Sequence, residues 1–438
     1  MPIKLFNRKQ HKTCVIGLDG VPHSLITKLA ADGVMPRIQA LFCTGRVAPM
    51  RVTLPEISSV SWSSFMTGKN PGEHGIFGFT DIAEDGRKLR FPSFKDLKAD
   101  TMWDLLGKRG YKSVVINQPS TYPARPIPGA LVSGFVAIEL ERSVSPPQYV
   151  TPLKKLGYEI DVDTESCKES PDKLFTSLNA LIESRRRALD FFWKEIDWNL
   201  MEVVVTGTDR LHHFVWDAGE NANHSHHIDF LDYYRRVDGF VGDVVDKFHS
   251  ENPDGDVFIL SDHGFCRSDF EVYINTMLEK EGFLRMATPD ARELDAVTED
   301  TRAFAMDPAR IYIRRRGRFP GGRVDDGDVA PIKRDLSASF EALEYNGKRV
   351  VQRVFDAEEV YSGPYVGNGP DLLVVPVNGF DLKGKFGFKE IFGERRLQGM
   401  HTWDDAFFFS LRGAPIEPDR EIHILEASQY IMRSLDAK

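Results

Sequence analysis

The stretch 12–20, "KTCVIGLDG", is a short apolar run that stops at Asp-Gly, the pattern of a buried strand with a carboxylate at its C-terminal tip. The pattern returns in "LMEVVVTGTD" (200–209) and "GDVFILSDHG" (255–264), and "YKSVVINQP" reads as a further strand. Helical patterns lie between them: "SLITKLAADG", "MPRIQALFCTG", "TMWDLLGKRG" and the amphipathic "HIDFLDYYRRVDGFVGDVVDKF". A longer helix, "PDKLFTSLNALIESRRRALDFFWKEI", has Pro171 and Asp172 near its start. Strands that alternate with helices predict an α/β fold with a mostly parallel central sheet and helices on both faces. In such sheets ligands collect beyond the carboxyl ends of the strands, where Asp19, Asp209 and Asp262 fall. Residues 265–400 break the alternation with pieces such as "RGRFPGGRVDDGD". They read as an irregular cap insertion, with 80–100 as a candidate addition, in one catalytic domain spanning 1–438.

Composition narrows the function. A chain of 438 residues, 42% hydrophobic and 28% charged, can bury a substantial core. No run approaches the length of apolar sequence that spans a membrane, and no apolar segment of a secretory signal precedes the first strand. The four cysteines, Cys14, Cys43, Cys167 and Cys266, are widely spaced and form no CxxC; they read as reduced, mostly buried thiols of a cytoplasmic protein. A net charge of −9 argues against nucleic-acid binding, whereas a small polyanionic substrate fits if bound cations reverse the local field. Nothing in the sequence speaks to oligomeric state.

The strand ends supply a set of metal-ligating types: Asp19, Asp209 with His213, Asp262 with His263, and His401 in "QGMHTWDD". Carboxylates and imidazoles together suit two borderline divalent ions, zinc or, with more oxygen ligands, manganese. Asp209 and His213 are spaced i, i+4, so one turn of helix brings them together. Asp262 and His263 are adjacent, and a turn at Gly264 is needed to aim both at one cleft. Two cations about 3.5–4 Å apart clamp the attacking and leaving oxygens of a phosphoryl displacement, and a hydroxyl between them becomes the nucleophile. "LPEISSVSWSSFMTGKNPGEHGIFGF" (54–79) offers Ser58, Ser59, Ser61, Ser63, Ser64 and Thr67, among which spacing does not choose. Other conspicuous residues read as structural. His74 and His212 are packing histidines, "NHSHHID" (223–229) is an exposed loop leading into a helix, and the arginine runs 185–187 and 314–318 are solvated faces.

Taken together, "VIGLDG", "PEISSVSWSSFMTGKNPGEHGIF", "TMWDLLGKRGYKSVVINQPSTYP", "GTDRLHHFVW", "ILSDHGF", "YSGPYVGNGPDLLVV" and "MHTW" resemble the type I phosphodiesterase/nucleotide pyrophosphatase family of the alkaline phosphatase superfamily. The resemblance runs over nearly the whole chain and implies an alkaline-phosphatase-like fold. It implies Ser58 as the nucleophile, nine residues before Thr67-Gly68. It also implies one metal on Asp19, Asp262, His263 and the Ser58 oxygen, and a second on Asp209, His213 and His401, both usually zinc. The implied chemistry is hydrolysis of a phosphodiester or pyrophosphate in a small phosphorylated substrate, through a covalent phospho-seryl intermediate. The chain departs from the pattern where nucleotide pyrophosphatases carry a phosphate-binding Asn after "HGI"; Phe79 stands at about that place, and a backbone N–H around Ser59 is the candidate replacement.

Sulfatases of the superfamily need a Cys/Ser-x-Pro-x-Arg motif, which "SVSW" after Ser58 lacks. A phosphomonoesterase needs an added cation, and Lys69, in a turn, is the nearest basic residue after Ser58, which favours the diester. A phosphomutase and a catalytically silent binding protein of the same fold are the remaining alternatives.

Overall fold

The computed structural model describes residues 11–288, 290–412, 416–417 and 420–436. At its centre is a nine-stranded sheet in the order Ile422–His423, Arg46–Arg51, Ala406–Ser410, Asp256–Leu260, Thr13–Leu18, Leu200–Val205, Ser113–Gln118, Gly129–Ser133, Val144–Ser145. Thr13–Leu18 runs parallel to both its neighbours, with Leu18 beside Val205 and Gly17 beside Leu260. The strand tips therefore end level, and the three predicted carboxylates leave the sheet at one edge. Ala406–Ser410 is antiparallel to both of its neighbours, which makes the sheet mostly rather than wholly parallel.

Side chains alternate across the strands, as a pleated chain requires. Cys14, Ile16 and Leu18 enter one core, packed by helices His23–Ala31, Pro171–Glu195, Gly207–Glu220 and His227–Glu251. Val15 enters the other, beneath helices Ser58–Thr67, Met102–Lys108 and Ile424–Asp436. Each face thus buries an apolar layer, which is why the strands read as continuous apolar runs. Among the described residues no helix is long and apolar enough to cross a membrane.

The stretch expected to be irregular is more ordered than its composition implies. Ala303–Met306, Arg310–Ile313, Leu372–Pro376 and Val351–Asp356 form a four-stranded antiparallel sheet, covered by helix Asp326–Glu341. Phe270–Tyr273 pairs with Phe380–Lys383 and Phe392–Glu394 in a second sheet. Short strands between turns hide their period, and some of their partners lie more than a hundred residues away.

The arginine runs are solvated faces only in part: Arg187 and Arg316 are exposed, whereas Arg185 and Arg314 are buried. Arg185 is buried and donates to the carbonyls of Glu159 and Ile160, while Arg187 donates to those of Leu156 and Gly157. Arg315 and Arg318 converge on the buried Asp371. In each case a loop carbonyl or carboxylate with no regular partner needs a long, multiply donating side chain. The cysteines are unpaired, with Cys14 and Cys167 buried, Cys266 half-buried and Cys43 exposed, so burial is less general than expected.

Candidate active site

Three loops at the carboxyl edge of the sheet bring the predicted residues together. After Thr13–Leu18 the chain turns at Gly20, whose φ of +65° favours glycine, and the Gly20 N–H donates to Asp262 Oδ1 at 3.0 Å. Gly17 leaves room for the Trp62 ring; a Cβ there would lie 2.7 Å from it. Trp62 passes beneath the strand and donates from Nε1 to Asp19 Oδ2 at 3.1 Å. Asp209 and His213 sit one turn apart on helix Gly207–Glu220, with Asp209 Oδ1 3.5 Å from His213 Nε2. Strand Gly264–Arg267 pairs antiparallel with Gly399–Thr402, placing Phe265 opposite His401 and delivering that histidine to the cluster.

Six hydroxyls competed for the nucleophile's place, and their surroundings separate them. Ser58, in the first turn of helix Ser58–Thr67, has its Oγ 3.1 Å from His263 Nε2 and 3.5 Å from Asp19 Oδ1. Ser63 and Thr67 donate to carbonyls four residues back, a common fate of helical hydroxyls. Ser64 lies between Thr53 and His74. Ser61 is buried without a hydrogen-bond partner, and Ser59 faces a void of about 20 Å³ shared with Tyr122. His74 and His212 are buried packing residues, the latter held between Gly20 O and the Tyr234 hydroxyl.

The hydrogen bonds leave a definite imbalance. His263, His213 and His401 each set Nδ1 against a backbone carbonyl, those of Gly264, Gly399 and Glu56 at 3.0, 3.2 and 2.9 Å. A carbonyl only accepts, so each Nδ1 carries the proton and each Nε2 presents a lone pair to the centre. The Nε2 atoms of His213 and His401 stand 3.1 Å apart, too close for two lone pairs with nothing positive between them. The carboxylates show the same one-sidedness. Trp62, Arg210 and the Gly20 amide each occupy one oxygen, while Asp209 Oδ1 and Asp262 Oδ2 are buried without a donor among the described residues. Two groups of ligand atoms converge in this way, Asp19 with Asp262 and His263, and Asp209 with His263 and His401. His263 Nε2 is nearer to Asp262 (3.4 Å) and Asp19 (3.7 Å) than to Asp209 (3.9 Å). This donor set fits two divalent cations: neutral imidazoles and carboxylate oxygens face a centre that lacks positive charge.

Protonation follows the same logic. Burial, then the nearby Asp262 and Asp209, pushes Asp19 well above the usual carboxylate range, and burial pushes Asp262 up to about 7. Burial would raise Asp209 too, but His213, His401 and Arg210 hold it well below. Burial, then the adjacent His401, lowers His263 to about 4, and burial lowers His213 and His401, so all three imidazoles are neutral at pH 7.

The cluster opens into a cleft of about 630 Å³, adjoined by a more apolar pocket of about 280 Å³. Phe79, His213, Lys383, Leu397 and His401 line both. Sequence reasoning looked for a cation close after Ser58 and missed those supplied elsewhere. Arg210 immediately follows Asp209, pairs with Asp161 at 2.6 Å and lies 4.2 Å from the Phe135 ring centre; Lys383 ends a strand of the second sheet and Lys385 lies in the loop after it. Adjacency to Asp209 was a usable signal for Arg210; for the lysines there was none. Glu56 was also missed: burial pushes it up to about 7, and its carbonyl orients His401.

Comparison with known proteins follows from this geometry. No curated protein sequence matches. Among solved structures, phosphonoacetate hydrolase from Sinorhizobium meliloti 1021 with phosphonoformate is similar, with TM-score 0.66, 14% identity, and coverage of 97% of this chain and 96% of that one. Murine ectonucleotide pyrophosphatase/phosphodiesterase 5, inactive and in complex with AMP, gives TM-score 0.57, 13% identity and coverages of 98% and 96%. The alkaline phosphatase PafA gives TM-score 0.57, 14% identity and coverages of 96% and 96%. At such identities these likenesses show an alkaline-phosphatase-like fold. Residues 13–404 match the family type I phosphodiesterase / nucleotide pyrophosphatase, and the chain belongs to that family of hydrolases.

Proposed function

We propose that the chain is a metal-dependent hydrolase that cleaves phosphodiester or pyrophosphate bonds in a small phosphorylated substrate, with Ser58 as nucleophile. The observation that carries this reading is Ser58 Oγ at 3.1 Å from His263 Nε2, beside buried acceptors that lack donors. Asp19, Asp262, His263 and Ser58 would hold one divalent ion and Asp209, His213 and His401 another, zinc before manganese. Bound there, such ions supply the positive charge that favours the Ser58 alkoxide and neutralises the phosphoryl oxygens. Ser58 Oγ, its proton released, bonds to phosphorus as the bond from phosphorus to the leaving oxygen breaks. Water then adds to phosphorus and the Ser58–phosphorus bond breaks, restoring the hydroxyl and consuming one water in all.

The chain's own residues position these steps. Trp62 and the Gly20 amide orient Asp19 and Asp262, and three carbonyls fix the imidazole rings. The first amides of helix Ser58–Thr67 have no intrahelical acceptor, and the Ser59 N–H replaces the Asn whose place Phe79 takes. Residues 265–400 serve as the cap that shapes substrate choice, since their second sheet supplies Lys383 to the cleft wall. The unpaired cysteines support a cytoplasmic location. AMP and phosphonoformate in the solved relatives support a small phosphorylated ligand.

The basic side chains in the cleft favour a second reading, a phosphomonoesterase or phosphomutase. Hydrolysis of bis-p-nitrophenyl phosphate and p-nitrophenyl phosphate, with zinc or manganese and with Ser58→Ala as control, separates the two. Diester turnover that exceeds monoester turnover and vanishes in the variant is the expected result. A monoester preference would move the assignment to the second reading. Diester turnover unchanged in Ser58→Ala would remove Ser58 from the chemistry.

A further inference from the structure

Five basic side chains line the cleft that contains Ser58: Lys168, Arg210, Lys383, Lys385 and Arg396. Four have a carboxylate of their own. Lys168 pairs with Glu165 at 2.5 Å, Arg210 with Asp161 at 2.6 Å, Lys383 with Asp381 at 2.7 Å and Arg396 with Glu271 at 3.6 Å. Lys385 is half-buried and has no carboxylate partner among the described residues. It lies two residues past the end of strand Phe380–Lys383, on the same cleft wall as Lys383.

A lysine ammonium on a cleft wall with no counter-ion of its own is a ready partner for an anion that enters the cleft. Carboxylates of the same region are engaged elsewhere: Asp381 by Lys383, Glu271 by Arg396, and Asp307 by the Gly384 amide at 2.5 Å. The phosphoryl group under attack must sit over Ser58, among acceptors that cations neutralise, so it does not need Lys385. We infer that Lys385 binds a second anionic group of the substrate, a phosphate or a carboxylate carried beyond the scissile phosphorus. The inference rests on the reading of Ser58 as the phosphoryl site and narrows it. The substrate is a bifunctional anion, such as a pyrophosphate or a carboxylate-bearing phosphoryl compound, rather than a diester with two uncharged arms. Lys383, held by Asp381, forms the adjoining wall and leaves Lys385 as the group that discriminates.

The test is a binding measurement on the zinc-loaded full chain by calorimetry. Its probes are methylphosphonate (one anionic group), methylenediphosphonate (a second phosphonate) and 3-phosphonopropionate (a carboxylate). In the wild type the better bifunctional probe binds about tenfold more tightly than methylphosphonate, as one charge-assisted contact provides. Lys385→Met brings that ratio to within about twofold and leaves methylphosphonate affinity unchanged, and Lys385→Arg restores most of the ratio. Which bifunctional probe wins names the second group. A ratio unchanged in Lys385→Met, or equal weakening of all three probes, would overturn the inference. Turnover of bis-p-nitrophenyl phosphate that is unchanged in Ser58→Ala would instead overturn the functional reading, since the binding ratio does not depend on turnover.

Discussion

Two of the places where this molecule buries carboxylates resolve the problem in opposite ways. In the antiparallel sheet region, Asp371 is 1% exposed, yet Arg315 and Arg318 pair with it and the Ile313 N–H donates to it at 2.7 Å. At the carboxyl edge of the central sheet, Asp19, Asp209 and Asp262 are also buried, but Asp209 and Asp262 each receive a donor on one oxygen only, and Asp19 has just the Trp62 indole and, at 3.5 Å, the Ser58 hydroxyl. Asp371 is complete as structure. On the proposed reading, the strand-end cluster is completed by cations supplied from outside. Burial of charge is thus no marker of function by itself; a surplus of acceptors over donors is.

The largest expected effect falls on the cluster. Ser58→Ala should lower diester turnover by about 10³-fold or more while the protein keeps its metal and its fold, read by kinetics, metal analysis and circular dichroism. If turnover survives, proximity to the cluster does not make a nucleophile. The two halves of the cluster should then come apart. Asp262→Ala loses the ion beside Ser58 and His213→Ala loses the other, each leaving about one ion per chain. Loss of both ions from both variants would mean a single shared site instead.

Asp371 offers the contrasting perturbation. Asp371→Ala leaves two guanidinium groups without their carboxylate and should cost about 3 kcal/mol of stability, with metal content unchanged. A chelator should do the reverse, lowering the melting temperature of the wild type by uncovering the strand-end carboxylates while leaving the cost of Asp371→Ala the same. A chelator that does not change the wild-type melting temperature would deny the contrast.

An effect that depends on pH concerns another buried carboxylate, Glu202, which accepts from Trp103 Nε1 at 3.0 Å and is pushed by burial from 4.5 up to about 8. It binds its proton more tightly folded than unfolded, so its contribution is full below about pH 4.5 and is lost as pH rises to about 8. Glu202→Gln keeps the acceptor for Trp103 without that loss. Its stability relative to wild type should therefore grow between those limits, as denaturant melts across pH would show. A gap that does not change with pH would place the Glu202 proton elsewhere.

Much of the fold was legible because the strands of a sheet covered on both faces read as plain apolar runs, and because each key strand ended in Asp. Asp19, Asp209 with His213, and Asp262 with His263 lie within a few residues of such ends. His401 is a different case: only the pairing of Phe265 with His401 carries it to the cluster, and strand pairing across more than a hundred residues leaves no local trace. The choice among the hydroxyls of residues 58–67 was likewise invisible, since it depends on which turn of the helix faces His263. Arg185, Arg315 and Arg318 misled because a charge run has the same composition whether it meets water or buried carbonyls. Lys385 could not be singled out before the partners of its neighbours were known.

The most direct test of the central claim is the metal content of the purified full chain after zinc or manganese supplementation and removal of loosely bound ions. The donor-poor cluster predicts close to two divalent ions per chain. A chain that retains none under those conditions, yet is folded, would contradict the account, because its imidazole lone pairs and bare carboxylate oxygens would then face one another without a cation.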